Sequence, residues 1–164
     1  MPKTVSDEAS ASASFVGASQ TAVHEPFLAV LRALAEAYHA FSAYSAAHVR
    51  ELGLTPAQFD VIATLGRTEG LPLSEIARKT LITKGTLTGI IDRLEAKGLL
   101  VRKVPAADRR SFHAILTPEG EALFARVFPA HVAHLKRVFQ DMGPDELDRA
   151  RRDLSRLRDR FRRP

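Results

Sequence analysis

The chain has 164 residues, of which 45% are hydrophobic and 26% are charged, proportions that suit one soluble domain with an added element for dimerisation. It contains no cysteine, which excludes disulfides, cysteine-based zinc sites and thiol redox sensing. No apolar run approaches the roughly 20 residues of a membrane span. The N-terminus lacks the basic-then-apolar order of a signal peptide, so we expect a cytoplasmic protein without a membrane partner.

Basic residues are concentrated in the middle of the chain. The net charge is +5, but the segment from Arg78 to Arg110 alone has nine Lys or Arg and three acidic residues. Basic segments are usually solvated surface. This one is short, contiguous and overlaps a regular series of predicted elements, so it favours a polyanionic partner such as nucleic acid.

The first part of the chain is an arm followed by a long helix. Residues 1–24 are rich in Ala and Ser with little apolar bulk, which predicts a disordered arm. From Phe27 to Phe41 apolar residues recur at helical spacing, and Gly53 is placed to end this helix in a left-handed cap. The apolar stripe of the helix is longer than one small core covers.

Three more helix starts are predicted from capping residues. Thr55 is an N-cap whose capping box is closed by Gln58. Ser74 is predicted as the N-cap of a short helix, and Thr83 as that of a longer helix that Gly98 ends. The apolar side chains of this longer helix form one stripe: Leu87, Ile90, Ile91 and Leu94.

The short helix and the longer helix after it have the arrangement of a helix-turn-helix. With the apolar stripe buried, helical geometry turns another set of residues outward: Lys84, Gly85, Thr86, Gly89 and Arg93. This face is thin and polar at its N-terminal end, so it fits a major groove, and the free N–H groups there suit phosphate. Glycines on an exposed helix face each cost about 0.8–1 kcal/mol, which indicates that something approaches this face closely.

Residues 101–116 predict a β-hairpin with an unusually long loop. The loop has about seven residues, whereas hairpin loops usually have two to five. Arg109 and Arg110 stand side by side at its tip, next to Asp108. In a winged helix such a loop lies beside the duplex, where an arginine enters a narrow minor groove. Asp108 is placed to orient a guanidinium through charge-assisted hydrogen bonds.

Two further helices close the chain. Thr117 starts the first, in which Pro129 predicts a kink, and the last runs from Pro144 to Phe161. The apolar residues of the first are expected on one side: Phe124, Phe128, Val132, Leu135 and Phe139. Those of the last have the alternating three-and-four spacing of a dimer seam: Leu147, Leu154, Leu157 and Phe161. The predicted fold class is mainly α, with a winged helix-turn-helix core between N- and C-terminal helices.

Three segments of the chain resemble the bacterial MarR family of transcriptional regulators: "GLTPAQF", "LSEIARKTLITKGTLTGIIDRLEAKGLL" and "DRRSFHAILTPEG". The likeness extends from about Phe27 to Phe161. It implies a homodimer in which dimerisation helices, residues 25–53 and 117–164, flank a DNA-binding domain at residues 54–116. It also implies binding to a palindromic operator of double-stranded DNA, usually as a repressor, relieved by a small aromatic or anionic effector.

The resemblance and the helical geometry together give a set of expected DNA contacts. Those of the helix-turn-helix are Ser74, Thr83, Lys84, Thr86, Thr88, Gly89 and Arg93. Arg109 and Arg110 match the wing, where Asp108 orients one of them. The absence of cysteine departs from the peroxide-sensing branch of the family, so thiol oxidation is not the signal.

Sites for other ligands are less well marked. The junction between the dimer helices and the DNA-binding core is the natural ligand cavity, and Tyr44, His48 and Phe59 are near it by sequence, although each is also explained as plain core. His131 and His134 either share a metal or are two surface or interface imidazoles. Without cysteine or a carboxylate at ligand spacing we predict no metal and no cofactor.

No catalytic motif is found in the sequence. The segment "GRTEGLPLSE" has the glycines of a phosphate-binding loop but neither its lysine nor its spacing. No nucleophile elbow or paired-carboxylate arrangement stands out, so we expect no enzymatic activity. The alternative function is a helical dimeric protein-interaction module without specific DNA binding, in which the basic face is merely solvated.

Overall fold

The computed structural model describes residues 23–104 and 112–162. Its helices are α1 (Phe27–Glu51), α2 (Pro56–Leu65), α3 (Leu73–Thr80), α4 (Lys84–Ala96), α5 (Pro118–Lys136) and α6 (Pro144–Phe161). Its strands are β1 (Leu71–Pro72), β2 (Leu100–Lys103) and β3 (His113–Leu116). The chain divides into two compact units, residues 1–44 and residues 45–164. The predicted arm lies outside the described residues, apart from its last two.

The described part of the first unit is most of helix α1, as the periodicity predicted. Its large apolar side chains are exposed: Phe27, Leu28, Val30, Leu31, Tyr38 and Phe41. The described chain therefore leaves a long apolar surface open on this helix. No helix in the described ranges is both long and apolar enough to cross a membrane.

The second unit has an apolar core to which α2, α3, α4, α5 and β3 all contribute. Its buried side chains include Val61, Ile62, Leu65, Ile76, Leu87, Ile90, Ile91, Leu94, Ala114, Leu116, Phe124 and Val127. The four-residue stripe predicted for α4 is confirmed. The sheet is antiparallel with β3 in the centre, between β1 and β2. Strand β2 begins shortly after α4 ends, so the β2–β3 hairpin follows this helix directly in the chain.

The predicted boundaries around α2 and α4 are confirmed by the backbone. Thr55 and Gln58 form the reciprocal capping box, with N–H to side-chain distances of 3.1 and 3.2 Å. Gly53 and Gly98 have φ angles of 81° and 69°, the left-handed conformation that glycine adopts with little strain. These turns fix where α1 and α4 end.

The start of α3 was predicted wrongly. The helix begins at Leu73 with Pro72 in the N-cap position, so Ser74 lies inside its first turn and does not cap it. The reason is that Leu71 and Pro72 form β1, which pairs with β3 and leads straight into the helix. Strand β1 was not predicted, because two residues are too few to show alternation.

The apolar side predicted for α5 is not the side that this core buries. The buried residues of the helix are Gly120, Phe124, Val127 and His131. Of the expected stripe, Phe128 and Val132 are exposed and Phe139 lies beyond the end of the helix, which continues through Pro129. The stripe read from the sequence is therefore mostly outside this core. Helix α6 has no buried residue at all, so both C-terminal helices leave apolar side chains uncovered by the described chain.

Candidate nucleic-acid interface

The outward face of helix α4 is the polar surface that the sequence predicted. Lys84, Thr86, Thr88 and Arg93 are exposed and Gly89 is half-buried. A Cβ atom built on Gly85 or Gly89 meets no atom of the described residues outside its own helix within 4 Å. The packing of the protein therefore does not require glycine at these positions. The helix nevertheless gives up the 0.8–1 kcal/mol or so that alanine would contribute at each, a cost for which the described packing gives no reason.

The threonines at the start of α4 are held by bonds to one another and to the helix. Thr83 occupies the N-cap position, but its hydroxyl donates to the Thr86 hydroxyl at 3.1 Å and makes no bond to the backbone N–H groups of the first turn. Thr88 donates to the carbonyl oxygen of Lys84 at 3.1 Å. Thr83 is thus the N-cap residue, as predicted, but its side chain makes no capping hydrogen bond. The N–H groups at this helix end have no capping side chain and remain available to an anion.

Arg102 anchors the base of the wing to helix α4, a role that the sequence analysis did not identify. Its Nη1 lies 2.8 Å from Glu95 Oε2, its Nη2 pairs with Asp92, and its backbone N–H donates to Glu95 Oε1 at 3.2 Å. Its guanidinium also lies 4.9 Å from the ring centre of Phe112. Both acidic residues of α4 are engaged in this way. The cations Lys84 and Arg93 of the same helix have no ion-pair partner among the described residues.

The tip of the wing lies outside the described residues. Asp108, Arg109 and Arg110 belong to it, and the structure neither supports nor opposes their predicted roles. The strands that carry the tip are described up to the facing pair Lys103 and His113. The two paired strands of the predicted hairpin are thus confirmed, and they follow helix α4 in the chain.

A cluster of imidazoles lies between helices α1, α2 and α5. His48 Nδ1 is 3.0 Å from His131 Nδ1, and the Ser45 hydroxyl is 3.1 Å from His131 Nε2. The His48 and His134 rings stack with centres 4.0 Å apart, and the Phe59 ring packs edge-on against His131 at 4.7 Å. Of the predicted ligand residues, the structure thus brings His48 and Phe59 to one place.

One expectation about these residues changes in the structure. His131 is buried, with 4% of its surface exposed, so it is not the surface imidazole considered above. No group of three metal-ligating side chains suited to a metal ion is found in the described ranges. The third predicted ligand residue, Tyr44, lies four positions before His48 on helix α1 and is partly exposed.

The imidazole cluster makes stability depend on pH. The pKa of His131 is lowered by burial and, to a lesser extent, by the nearby His48 and His134. The pKa of His134 is lowered by burial, His48 and Arg137, against an opposing effect of Glu51. The bond between the two Nδ1 atoms also needs one of them unprotonated. The folded protein thus binds fewer protons here than the unfolded chain, and stability falls as pH drops below about 6.5, the unfolded value.

We expect the free energy of unfolding to decrease between pH 7.5 and 5.5, with a contribution from His131 of at most about 1.4 kcal/mol per pH unit. Urea denaturation of the wild type and of His131→Gln at each pH measures it. The variant should show a shallower decrease over this range. Equal pH dependence of the two proteins would show that His131 does not titrate in this way.

Comparison with known proteins gives the family. A model of the MarR family matches residues 52–111, which span the helix-turn-helix and the wing. The HTH-type transcriptional regulator MhqR of Bacillus subtilis is 31% identical over 133 residues, which cover 81% of this chain and 92% of the relative. The chain belongs to the MarR family.

Solved structures of two DNA-binding proteins are similar to this MarR family chain. The transcriptional repressor CouR, bound to a 23-mer DNA duplex, has a TM-score of 0.66 and 33% identity over 76% of this chain and 89% of that one. BpsR of Bordetella bronchiseptica has a TM-score of 0.68 and 30% identity over 78% and 97%. The predicted winged helix fold and the function of a DNA-binding transcriptional regulator are confirmed over the alternative of a protein-interaction module.

Proposed function

We propose that this MarR family protein is a cytoplasmic, homodimeric repressor that binds a palindromic operator and is released from it by a small aromatic or anionic effector. The observation that carries the DNA-binding part is the outward face of α4, with two glycines that the protein's own packing does not need. In the proposal residues 54–116 bind DNA, and residues 25–53 and 117–164 form the dimer.

Within the proposed interface, helix α4 contacts the bases of the DNA, and residues around it contact the sugar-phosphate backbone. Lys84, Thr86, Thr88 and Gly89 face the major groove, while Ser74 and Thr83 lie at the N-terminal ends of α3 and α4, where free N–H groups favour phosphate. Arg93 contacts the backbone. Arg109 and Arg110 extend from the wing, one into the minor groove and the other to a phosphate or to Asp108.

The homodimer is supported by apolar surface that the described chain leaves open. On helix α6 the residues Leu147, Leu154 and Phe161 are exposed, with Phe161 at 62%. They recur every seven positions, so they lie along one side of the helix. A contiguous apolar side on a helix without any buried residue is unfavourable in water and favours association with a second copy.

The effector site is proposed at the imidazole cluster, next to His48 and Phe59, and Tyr44 is kept as a predicted ligand residue four positions before His48 in the sequence. Support comes from the grouping of polar and aromatic side chains, which suits a small aromatic molecule. BpsR, which this chain resembles, has its DNA binding regulated by 6-hydroxynicotinic acid. An aromatic acid is therefore the first class of molecule to test as an effector.

Substitutions in α4 test whether this helix reads sequence. We expect Lys84→Ala or Thr86→Ala to change which operator variants bind, because a bidentate contact to a base is worth about 1–3 kcal/mol of discrimination. Kd values measured on a panel of single-base operator variants reveal the change. Lys136→Ala, which removes an exposed lysine on α5, should leave the order of preference intact. Equal weakening of all variants by both α4 substitutions would reduce the helix to a phosphate clamp.

A further inference from the structure

An open cleft lies where the end of α1, the start of α2 and the C-terminal half of α4 meet. Its volume is about 640 Å³. The cleft is lined by Arg50, Gly53, Leu54, Thr55, Gln58, Arg93, Ala96 and Lys97. Three of these eight residues are cations and none is acidic, so the electrostatic potential of the cleft is positive. We call this site the basic cleft.

The cations of the basic cleft are not neutralised by the protein. Arg50, Arg93 and Lys97 are all exposed, and none has an ion-pair partner among the described residues. The acidic residues closest to them in sequence on α4, Asp92 and Glu95, are held by Arg102 at the base of the wing. The arrangement gathers three like charges around one concave surface, which favours an anion from outside the chain.

The side-chain oxygens of Thr55 and Gln58 each accept a hydrogen bond from the other residue's backbone N–H, and the side chain of Leu54 is buried. The charged groups of the cleft are one ammonium and two guanidinium groups. This set suits phosphate, which arginine binds through two parallel hydrogen bonds.

The basic cleft continues the face of α4 that was assigned to DNA. Gly89, Arg93 and Lys97 follow one another at intervals of four residues, so they lie on one side of the helix. At a rise of 1.5 Å per residue, Lys97 stands about 12 Å along the helix from Gly89. A groove that receives the N-terminal half of this face is bordered by a sugar-phosphate backbone, which carries a charge about every 3.4 Å per strand.

We propose that the basic cleft binds a phosphodiester of the DNA backbone that borders the major groove, with Arg50 and Lys97 joining Arg93 as phosphate contacts. The inference rests on the proposed DNA-binding function and extends its interface to the end of helix α1. Because these contacts do not reach bases, they supply affinity for every sequence alike.

The salt dependence of DNA binding tests this proposal. The probe is a duplex of about 30 base pairs of arbitrary sequence, long enough for two half-sites, titrated between about 50 and 200 mM salt. Arg50→Gln and Lys97→Gln should each reduce the slope of log Kd against log salt by about one per subunit. Each should weaken binding roughly tenfold at the lower salt concentration. Arg126→Gln, which removes an exposed cation of α5, should leave the slope unchanged.

The proposal would be overturned if both cleft variants showed the same slope of log Kd against log salt as the wild type. Thermal unfolding must show that the variants are folded. If benzoate then displaced the duplex from the wild type but not from the variants, the cleft would be a site for small organic anions instead. The test does not depend on sequence preference: a wild type that selects no operator from random DNA contradicts the proposed function, and the arbitrary duplex still tests the cleft.

Discussion

Replacement of both Leu154 and Leu157 by aspartate will convert the protein into a monomer that no longer binds a two-fold operator. Helix α6 has no buried residue, and Leu154 is 58% exposed. In a dimer these side chains would be covered, and covering a leucine contributes about 1.5–3 kcal/mol. Two leucines from each subunit amount to roughly 6 kcal/mol, which weakens dimerisation at least about 10⁴-fold.

Analytical ultracentrifugation at micromolar concentration measures the first effect, and gel shifts with a selected operator measure the second. The matched control is Arg149→Asp with Arg156→Asp, which places two carboxylates at exposed positions of the same helix on the side away from Leu154. This control should remain a dimer. A monomeric wild type, or a dimeric Leu154→Asp, Leu157→Asp variant, would rule out this seam.

Gly120→Ala will destabilise the fold strongly, although alanine usually stabilises a helix. Gly120 is buried in the first turn of α5, and an added Cβ would lie 2.0 Å from the carbonyl oxygen of Leu99. That oxygen also accepts a hydrogen bond from the N–H of Thr117 at 3.1 Å. Moving either Leu99 or the start of α5 to relieve the clash would therefore break this hydrogen bond. We expect a loss of about 3 kcal/mol, and a Tm lower by roughly 6–12 °C.

Gly89→Ala is the matched control for this prediction. In the described part of the chain, no atom outside helix α4 lies within 4 Å of a Cβ at Gly89, so this change should raise the free energy of unfolding by up to about 1 kcal/mol. The same variant should bind DNA less well, because the added methyl group stands on the proposed contact face. Differential scanning calorimetry of both variants checks the opposite signs. A Gly120→Ala protein as stable as the wild type would show that the α5 start is not fixed as described.

Local chemistry was sufficient to predict most of the helices. The capping box at Thr55 and Gln58, the glycines after α1 and α4, and the buried stripe of α4 are signals carried by neighbouring residues. They were confirmed because capping and amphipathic burial act over one or two turns. The order of elements then pointed to a winged helix, and the outward-facing residues of α4 are exposed as expected, apart from the half-buried Gly89.

Features that depend on distant residues were missed. Strand β1 exists because β3 pairs with it, some forty residues later in the chain. The buried side of α5 is decided by what α2 and β3 present to it, so the spacing of its apolar residues alone did not identify that side. The pairing of Arg102 with Asp92 and Glu95 joins a strand to a helix. The spacing of basic residues in the sequence did not distinguish Arg102, which is ion-paired, from cations such as Lys84 and Arg93, which have no ion-pair partner among the described residues.

Selection of bound sites from a pool of random duplexes tests the central claim most directly. A homodimeric, sequence-specific regulator should enrich a two-fold symmetric sequence whose half-sites lie about 10 base pairs apart, centre to centre. Footprinting of the enriched sequence should then protect both half-sites together. Absence of any enriched sequence, or a single half-site protected alone, would contradict the account.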